Sequence, residues 1–106
     1  MNYKEFEHLL DRIVAKEKEI GKTKAVEYTQ NDDRLDNFKR LAKELGLAPE
    51  QILSVYLKKH LDAIMRYCRT GETLSEDITG RILDARVYLS LLWGLVEEKD
   101  DAKDSI

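Results

Sequence analysis

The amino-acid sequence predicts an all-α protein, a bundle of four principal helices. Apolar residues recur at spacings of three and four along most of the chain, as on one face of an α-helix. No segment shows the alternation typical of a β-strand, and a single proline among 106 residues leaves room for long uninterrupted helices. We expect one domain over residues 1–98, followed by a charged, frayed tail over residues 99–106.

The segment 49–69 predicts the central helix. Pro49 suits the first helical position, where its missing N–H costs nothing, and Gly71 suits the end. The apolar stripe, interrupted only by His60, consists of Ile52, Leu53, Tyr56, Leu57, Leu61, Ile64, Met65 and Cys68. So broad a stripe requires burial against more than one neighbour. We expect Cys68 to be a buried small hydrophobe rather than a reactive thiol.

The first helix is expected to begin at Asn2, which has the spacing of a capping box with Glu5, and to end at Gly21. Its apolar face consists of Phe6, Leu9, Leu10, Ile13, Val14 and Ile20. The polar segment 22–32 has no long apolar period. It predicts a loop, with room for a helical turn.

The second helix is expected to begin after Asp32 or Asp33 as N-cap and to end at Gly46 in the left-handed conformation. Its inward face is predicted to consist of Leu35, Phe38, Leu41, Ala42 and Leu45. A short link then leads to the central helix.

The last helix, residues 77–99, is apolar on two sides, with Thr73 or Ser75 as the expected N-cap. One row is Ile78, Ile82, Ala85, Leu89, Leu92 and Val96, and the other is Leu83, Val87, Leu91 and Leu95. Because a helix with two apolar sides must bury both, we expect a homo-oligomer, most simply a dimer, to cover the second side. Gly94 inside this helix predicts a close helix crossing.

Composition narrows the compartment and the class of partner. A single cysteine excludes an internal disulfide and is typical of a reducing compartment. There is no run of about 18 apolar residues, and the first residues carry charges where a signal peptide would be apolar. We therefore expect no membrane span and a cytoplasmic location. The net charge of −3 argues against general nucleic-acid binding but allows a small anion held by local cations.

Polar residues on otherwise apolar helix faces are the first candidates for function. His60 is either a half-buried histidine bonded to a carboxylate or carbonyl, or a ligand contact that titrates near neutral pH. Arg81 and Asp84, one turn apart, form either an intrahelical ion pair or part of a shared cleft. In such a cleft Arg81 would bind a phosphate or carboxylate, and Asp84 would meet His60 or a ligand hydroxyl. Lys59 could reach the same anion.

A second group of candidates surrounds the start of the second helix. Lys24 and Tyr28 precede it, and Arg34 and Asn37 lie close to its first turn. A helix N-terminus offers free N–H groups to an anion, to which the two cations would add charge, while Tyr28 would stack on a base. The alternative is ordinary loop structure.

No metal signature is present. His8 and His60 lie on different predicted helices, and with one cysteine they cannot build a zinc site. Magnesium requires converging carboxylates, of which the inward positions offer few besides Asp84. We expect no cofactor.

Three segments carry a resemblance to known proteins: EYTQNDDRLDNFKRLAKELGLAPEQIL, YLKKHLDAI and GRILDARVYLSLL. Together they resemble small helical proteins of bacteriophages and prophages, near the phage nucleotide-modification-associated domain family. More distantly they are similar to the all-α nucleoside triphosphate pyrophosphohydrolases of the MazG type. The resemblance covers residues 24–95 and is most specific in DDRLDNF and KHLDAI.

The resemblance to the hydrolases implies a Glu-x-x-Asp motif that binds magnesium on the last core helix. In this sequence Asp84 matches the aspartate of the motif, but Arg81 occupies the position of its glutamate. The preceding helix carries Lys58, Lys59 and His60 where paired glutamates are expected. Cations in these places would repel Mg²⁺ and attract phosphate.

Three functions remain open at this stage. The first is a phage-type protein that binds a nucleotide without hydrolysing it, and so sequesters a cyclic nucleotide signal of anti-phage defence in the host cytoplasm. The second is a divergent magnesium-dependent pyrophosphohydrolase that uses Asp84 with Asp32, Asp33 or Asp62. The third is an adaptor that binds another protein through its apolar last helix.

Overall fold

A computed structural model describes the backbone of residues 1–28, 31–73 and 75–104, and the side chains of 1–23, 31–73 and 75–103. Four helices follow one another: α1 (Tyr3–Tyr28), α2 (Asp36–Leu45), α3 (Pro49–Thr70) and α4 (Ile78–Asp104). The described residues contain no strand. The predicted all-α class with four principal helices is therefore confirmed.

The central helix has the predicted ends. Pro49 lies at the start of α3, and the Ala48 N–H donates to the Gln51 side chain at 2.8 Å. At the other end Gly71 has φ 73°, and its N–H donates to the Tyr67 carbonyl at 2.7 Å. Gly46 likewise ends α2 with φ 69°. In both places glycine adopts the left-handed conformation at little steric cost.

Helix α1 is longer than predicted. The Asn2 side chain accepts a hydrogen bond from the Glu5 N–H at 2.8 Å, as expected for an N-cap. However, the helix continues through Gly21 to Tyr28, so the predicted end and the predicted loop are wrong as far as residue 28. One internal glycine costs a helix about 1 kcal/mol, which is too little to end it without a proline.

Helix α2 begins later than predicted. Asp33 accepts a hydrogen bond from the Leu35 N–H at 2.9 Å, and its carbonyl accepts from Asp36 N–H at 3.1 Å. These bonds close a separate turn over residues 33–36, so Leu35 rather than an aspartate precedes the helix. The predicted caps Asp32 and Asp33 are therefore wrong. Short polar side chains favour such local turns as strongly as helix caps.

Helix α4 is displaced at both ends from its prediction. It begins at Ile78, and its first turn closes with a hydrogen bond of 3.2 Å from the Arg81 N–H to the Asp77 carbonyl. Thr73 and Ser75 lie too early in the chain to cap it. The helix continues to Asp104, five residues beyond the predicted end.

The core forms where α3 packs on α4 on one side and on α2 on another, which confirms α3 as the central helix. The fully buried Leu53 lies at its middle. The other buried apolar residues of this core are Leu35, Phe38, Ala42, Ile52, Leu57, Ala85 and Leu95.

Several residues predicted to be buried are exposed. Cys68 and Leu45 face solvent, as do Leu61 and Met65 of the predicted central stripe, so these predictions of burial are wrong. Leu45 and Cys68 lie in the last turns of α2 and α3. Gly94 does not mark a close helix crossing, because a Cβ there would meet the Leu35 side chain at an ordinary 3.5 Å. Within the described residues, no helix has the length and apolar character of a membrane span.

Candidate functional site

A cavity of ≈ 420 Å³ lies between α2, α3 and α4. Its lining consists of Arg34, Asn37, Phe38, Tyr56, Lys59, His60, Glu76, Asp84, Val87, Tyr88 and Leu91. The volume falls within the range of about 300–1,000 Å³ that small-molecule sites occupy. Five of the eight side chains predicted from the sequence line this single space: Arg34, Asn37, Lys59, His60 and Asp84.

Local structure brings these five side chains together from three parts of the chain. The turn capped by Asp33 places Arg34 just before α2, and Asn37 lies in the first turn of that helix. Tyr56 and His60 are one turn apart on α3, as are Asp84 and Tyr88 on α4, so each pair occupies one helix face. Because α3 and α4 pack together, the two faces meet at the cavity.

Aromatic rings form one wall of the cavity. The rings of Tyr56 and Tyr88 are nearly parallel, 5° apart with centroids separated by 6.1 Å, and His60 stacks on Tyr88 at 5.5 Å. Phe38 meets both tyrosines edge-on. Sequence reasoning placed Tyr56 in the apolar stripe of the central helix and assigned no role to Tyr88, and so missed both as site residues. Their hydroxyls, at the border of a buried stripe, were the available signal.

Two cations at the cavity lack partners among the described residues. Arg34 is half-buried and forms no ion pair or hydrogen bond with any described residue. Burial lowers the pKa of its guanidinium, since the desolvated charge is less stable, although the nearby Tyr88 partly opposes this. Lys59, exposed at the rim, is likewise unpaired within the described part of the chain.

His60, Arg81 and Asp84 lie together. His60 is buried, and its Nδ1 lies 3.4 Å from Arg81 Nη1 and 3.8 Å from Asp84 Oδ2. A guanidinium only donates, so the Arg81 contact is a hydrogen bond only when Nδ1 carries no proton. The other partners of Arg81 are Glu76, with Nε 3.5 Å from its carboxylate, and the Ser75 hydroxyl, 3.2 Å from Nη2. Arg81 thus contacts His60 on α3 and residues of the segment that precedes α4.

The three remaining predicted ligand residues are Arg81, Lys24 and Tyr28. Arg81 does not line the main cavity but an adjoining one of ≈ 180 Å³. Lys24 and Tyr28 belong to the last turns of α1, and their side chains lie outside the described residues.

Two of the three carboxylates proposed to join Asp84 at a magnesium ion have partners elsewhere. Asp33 pairs with Lys39 at 2.7 Å, and Asp62 pairs with Lys58 at 2.9 Å on the exposed side of α3. Neither lines the cavity with Asp84. Over the described side chains, no three His, Cys, Asp or Glu residues are grouped as metal ligands.

The arrangement defines a small helical bundle with a ligand-sized cavity that has an aromatic wall and two cations without partners among the described side chains. No protein-family model, curated protein or solved structure matches the chain. The resemblance to phage helical proteins and to the MazG type thus stays a prediction.

Proposed function

We propose that this protein binds a small anionic molecule with a planar ring, of the nucleotide class, in the cavity between α2, α3 and α4. One observation carries the proposal. Arg34, a half-buried guanidinium without a partner among the described residues, lines the same space as the stacked tyrosines.

The cations favour a phosphate or carboxylate. A guanidinium offers several donors in a fixed plane and binds such groups through paired hydrogen bonds. Arg34 is half-buried and has therefore lost part of its hydration, so an incoming anion gains more from it than from an exposed arginine. Lys59 at the rim adds a second positive charge.

The other walls suit a base and a sugar. Tyr56 and Tyr88 offer apolar ring faces on which a base can stack. Asn37 supplies an amide that can both donate and accept, and Asp84 supplies a carboxylate that accepts from a hydroxyl or an exocyclic amine.

The proposal includes holding the ligand without hydrolysing it. The positions at which the resembling hydrolases keep acids carry Lys59, His60 and Arg81 here, and these side chains favour the phosphate over the metal. With the phage resemblance, this supports sequestration of a cyclic nucleotide signal of host anti-phage defence.

Isothermal titration of the purified protein against mononucleotides, nucleoside triphosphates and cyclic dinucleotides tests the proposal. We expect saturable binding to at least one of them. Arg34→Met should weaken it about tenfold or more, since a charge-assisted pair is lost. Arg69→Met, at an exposed site on α3, is the matched control and should leave affinity unchanged. No binding by any of the nucleotides would overturn the proposal.

The same samples test the hydrolase alternative. If the protein releases pyrophosphate when Mg²⁺ is added, and Asp84→Asn abolishes this release, the protein hydrolyses its ligand instead of only binding it. We expect the bound nucleotide to be recovered intact.

A further inference from the structure

The cavity that Arg81 lines holds a second group of cationic and hydroxyl side chains. It is formed by Ala63, Arg66, Thr73, Ser75, Glu76 and Arg81. Its volume of ≈ 180 Å³ is below the range of whole small-molecule sites, so it suits a compact group rather than a ring system.

Two arginines in this space have unused donors. The Nε of Arg66 is buried and has no hydrogen-bond partner among the described residues. Leaving a buried donor unsatisfied is unfavourable, and more so when the group is charged. Arg81 is bonded to the Ser75 hydroxyl, but its Nε faces Glu76 at 3.5 Å, which is long for a charge-assisted hydrogen bond.

Glu76 lines both cavities and thereby joins them. Its side chain is half exposed, whereas that of Arg81 is only 11% exposed. The Glu76 carboxylate thus lies at the solvent side of the largely buried Arg81 guanidinium, at the place where this guanidinium attracts an anion, and is only loosely bound there. Arg81 also reaches His60 of the main cavity at 3.4 Å, so the two spaces share a wall of side chains.

We infer that the small cavity is a second anion site, which binds a second phosphate of the same ligand after displacing Glu76. The inference rests on the proposed function and narrows the ligand to nucleotides with two separated phosphates. One phosphate would lie against Arg34 and Lys59, and the other against Arg66 and Arg81. Glu76 acts as an internal competitor that keeps Arg81 paired when no ligand is bound.

Titration with adenosine 5′-monophosphate, adenosine 3′,5′-bisphosphate and cyclic di-adenosine monophosphate tests this inference. The last two ligands each contain two phosphate groups and are called the diphosphorylated ligands here. We expect them to bind at least about tenfold more tightly than the monophosphate, since each makes one more charge-assisted contact. Arg66→Met should remove that advantage and leave binding of the monophosphate unchanged, with Arg69→Met as control. Glu76→Gln should tighten binding of the diphosphorylated ligands several-fold, whereas Glu72→Gln should not.

The outcomes separate the two proposals. If the monophosphate binds and Arg34→Met weakens it, but the diphosphorylated ligands gain nothing, the second site is wrong and the first stands. If Glu76→Gln leaves every affinity unchanged, Glu76 is not a competitor. If none of the three ligands binds, the second site fails together with its ligand class.

A different observation concerns the outer surface of the chain. Its accessible area is 8026 Å², whereas a compact monomer of 12.3 kDa exposes about 6,100 Å². The radius of gyration is 16.0 Å, against about 13 Å for a compact chain of this length. The difference in area, about 1,900 Å², exceeds the roughly 800 Å² that each partner buries in a standard interface.

Much of this surface is apolar and lies on α1 and α4. Not one described side chain of residues 1–23 is buried, including the apolar face of α1. On α4 an exposed stripe recurs at spacings of seven, four and three, formed by Ile82, Leu89, Trp93 and Val96. Trp93 is 71% exposed. Burial of these residues would stabilise an assembly by the hydrophobic effect.

The charges of α1 indicate what covers this surface. Its first half, residues 4–11, has one cation and three acids, whereas residues 12–22 have four cations and two acids. Two copies paired antiparallel bring the acidic half of each against the basic half of the other. Glu5 and Lys16 lie on the same side of α1 as Leu9. Residues 5, 9, 12 and 16 are separated by four, three and four positions, which places them on one face of a helix.

We also infer that two copies of this chain form a two-fold dimer through antiparallel α1 helices and the exposed stripe of α4. Light scattering at micromolar concentration should give about twice 12.3 kDa. Lys16→Glu should shift the chain toward the monomer, since it meets Glu5 of the partner, and Glu5→Lys combined with Lys16→Glu should restore the dimer. Glu44→Lys on α2 is the control.

A monomeric wild-type chain would overturn this inference and would leave the surface to a different protein, as in the adaptor alternative. A dimer unaffected by Lys16→Glu would overturn the antiparallel α1 pairing.

Discussion

The two ends of the chain are packed very differently. The unit formed by α2, α3 and α4 encloses a core around the fully buried Leu53 and places the ligand-sized cavity beside it. Helix α1 packs mainly against α4, to which an ion pair between Glu17 and Arg86 holds it, and a gap of ≈ 330 Å³ that Arg34 also lines lies between the two helices. An apolar period therefore predicts a helix, but it does not predict which surface covers the apolar face of that helix.

The largest effect should come from removing a side chain of the well-packed unit. Leu53→Ala deletes a side chain with no exposed surface, and such cavities cost about 2–5 kcal/mol. Leu9→Ala on α1, at concentrations where the chain is monomeric, should cost less than about 1.5 kcal/mol because the side chain is only half-buried. Urea denaturation measures both free energies of unfolding. Equal losses would show that α1 is packed as tightly as α3.

The next effect concerns the cavity wall. Tyr88 stacks on Tyr56 and on His60, so Tyr88→Leu removes one ring of the aromatic wall on which we propose that a base stacks. Stacking of a base on an aromatic side chain contributes about 1–3 kcal/mol, so affinity for the best nucleotide should fall roughly tenfold to a hundredfold. Tyr67→Leu, at a partly exposed site on α3 that does not line the cavity, should not change it. A titration in which both variants bind alike would contradict the stacking role.

Features that depend on local chemistry could be predicted from the sequence, and features that depend on packing could not. The number of helices, both ends of α3 and the end of α2 were predicted correctly, because Pro49, Gly71 and Gly46 act through local chemistry. The caps of α2 and α4 were not, because Asp33, like Thr73 and Ser75, has side-chain chemistry that suits a turn as well as a cap.

The candidate site was predicted in part for a similar reason. Polar residues on apolar stripes, such as His60 and Asp84, stand out in a sequence because burying them requires partners. Tyr56 and Tyr88 do not stand out, since a tyrosine on such a stripe is commonly a core residue. Which of these side chains meet depends on the packing of α3 against α4, which no local pattern contains.

A smaller effect should come from the glycine inside α1. A Cβ added at Gly21 would meet no atom within 4 Å, so Gly21→Ala should stabilise the chain by about 1 kcal/mol through helix propensity alone. Gly46→Ala has equal open space but a φ of 69°, so it should destabilise. Thermal unfolding followed by circular dichroism compares the two variants. A destabilised Gly21→Ala would mean that α1 packs closely at this point against another surface.

The smallest expected effect depends on pH and joins the start of α2 to the end of α4. Lys39 bonds Asp33 at 2.7 Å and Glu98 at 2.8 Å. The bond from Lys39 lowers the pKa of Asp33 below its ordinary 3.8, and the bond to Asp33 raises the pKa of Lys39 above its ordinary 10.5. The stabilisation is therefore fully present between these two values. It is lost as pH falls through the folded-state pKa of Asp33, or rises through that of Lys39.

Because these side chains are more than a third exposed, Lys39→Met should lower the free energy of unfolding by less than about 1 kcal/mol at pH 7. Denaturation of both proteins across pH should show that difference shrinking below pH 3.8, and a difference that persists there would mean that Lys39 acts through its aliphatic chain.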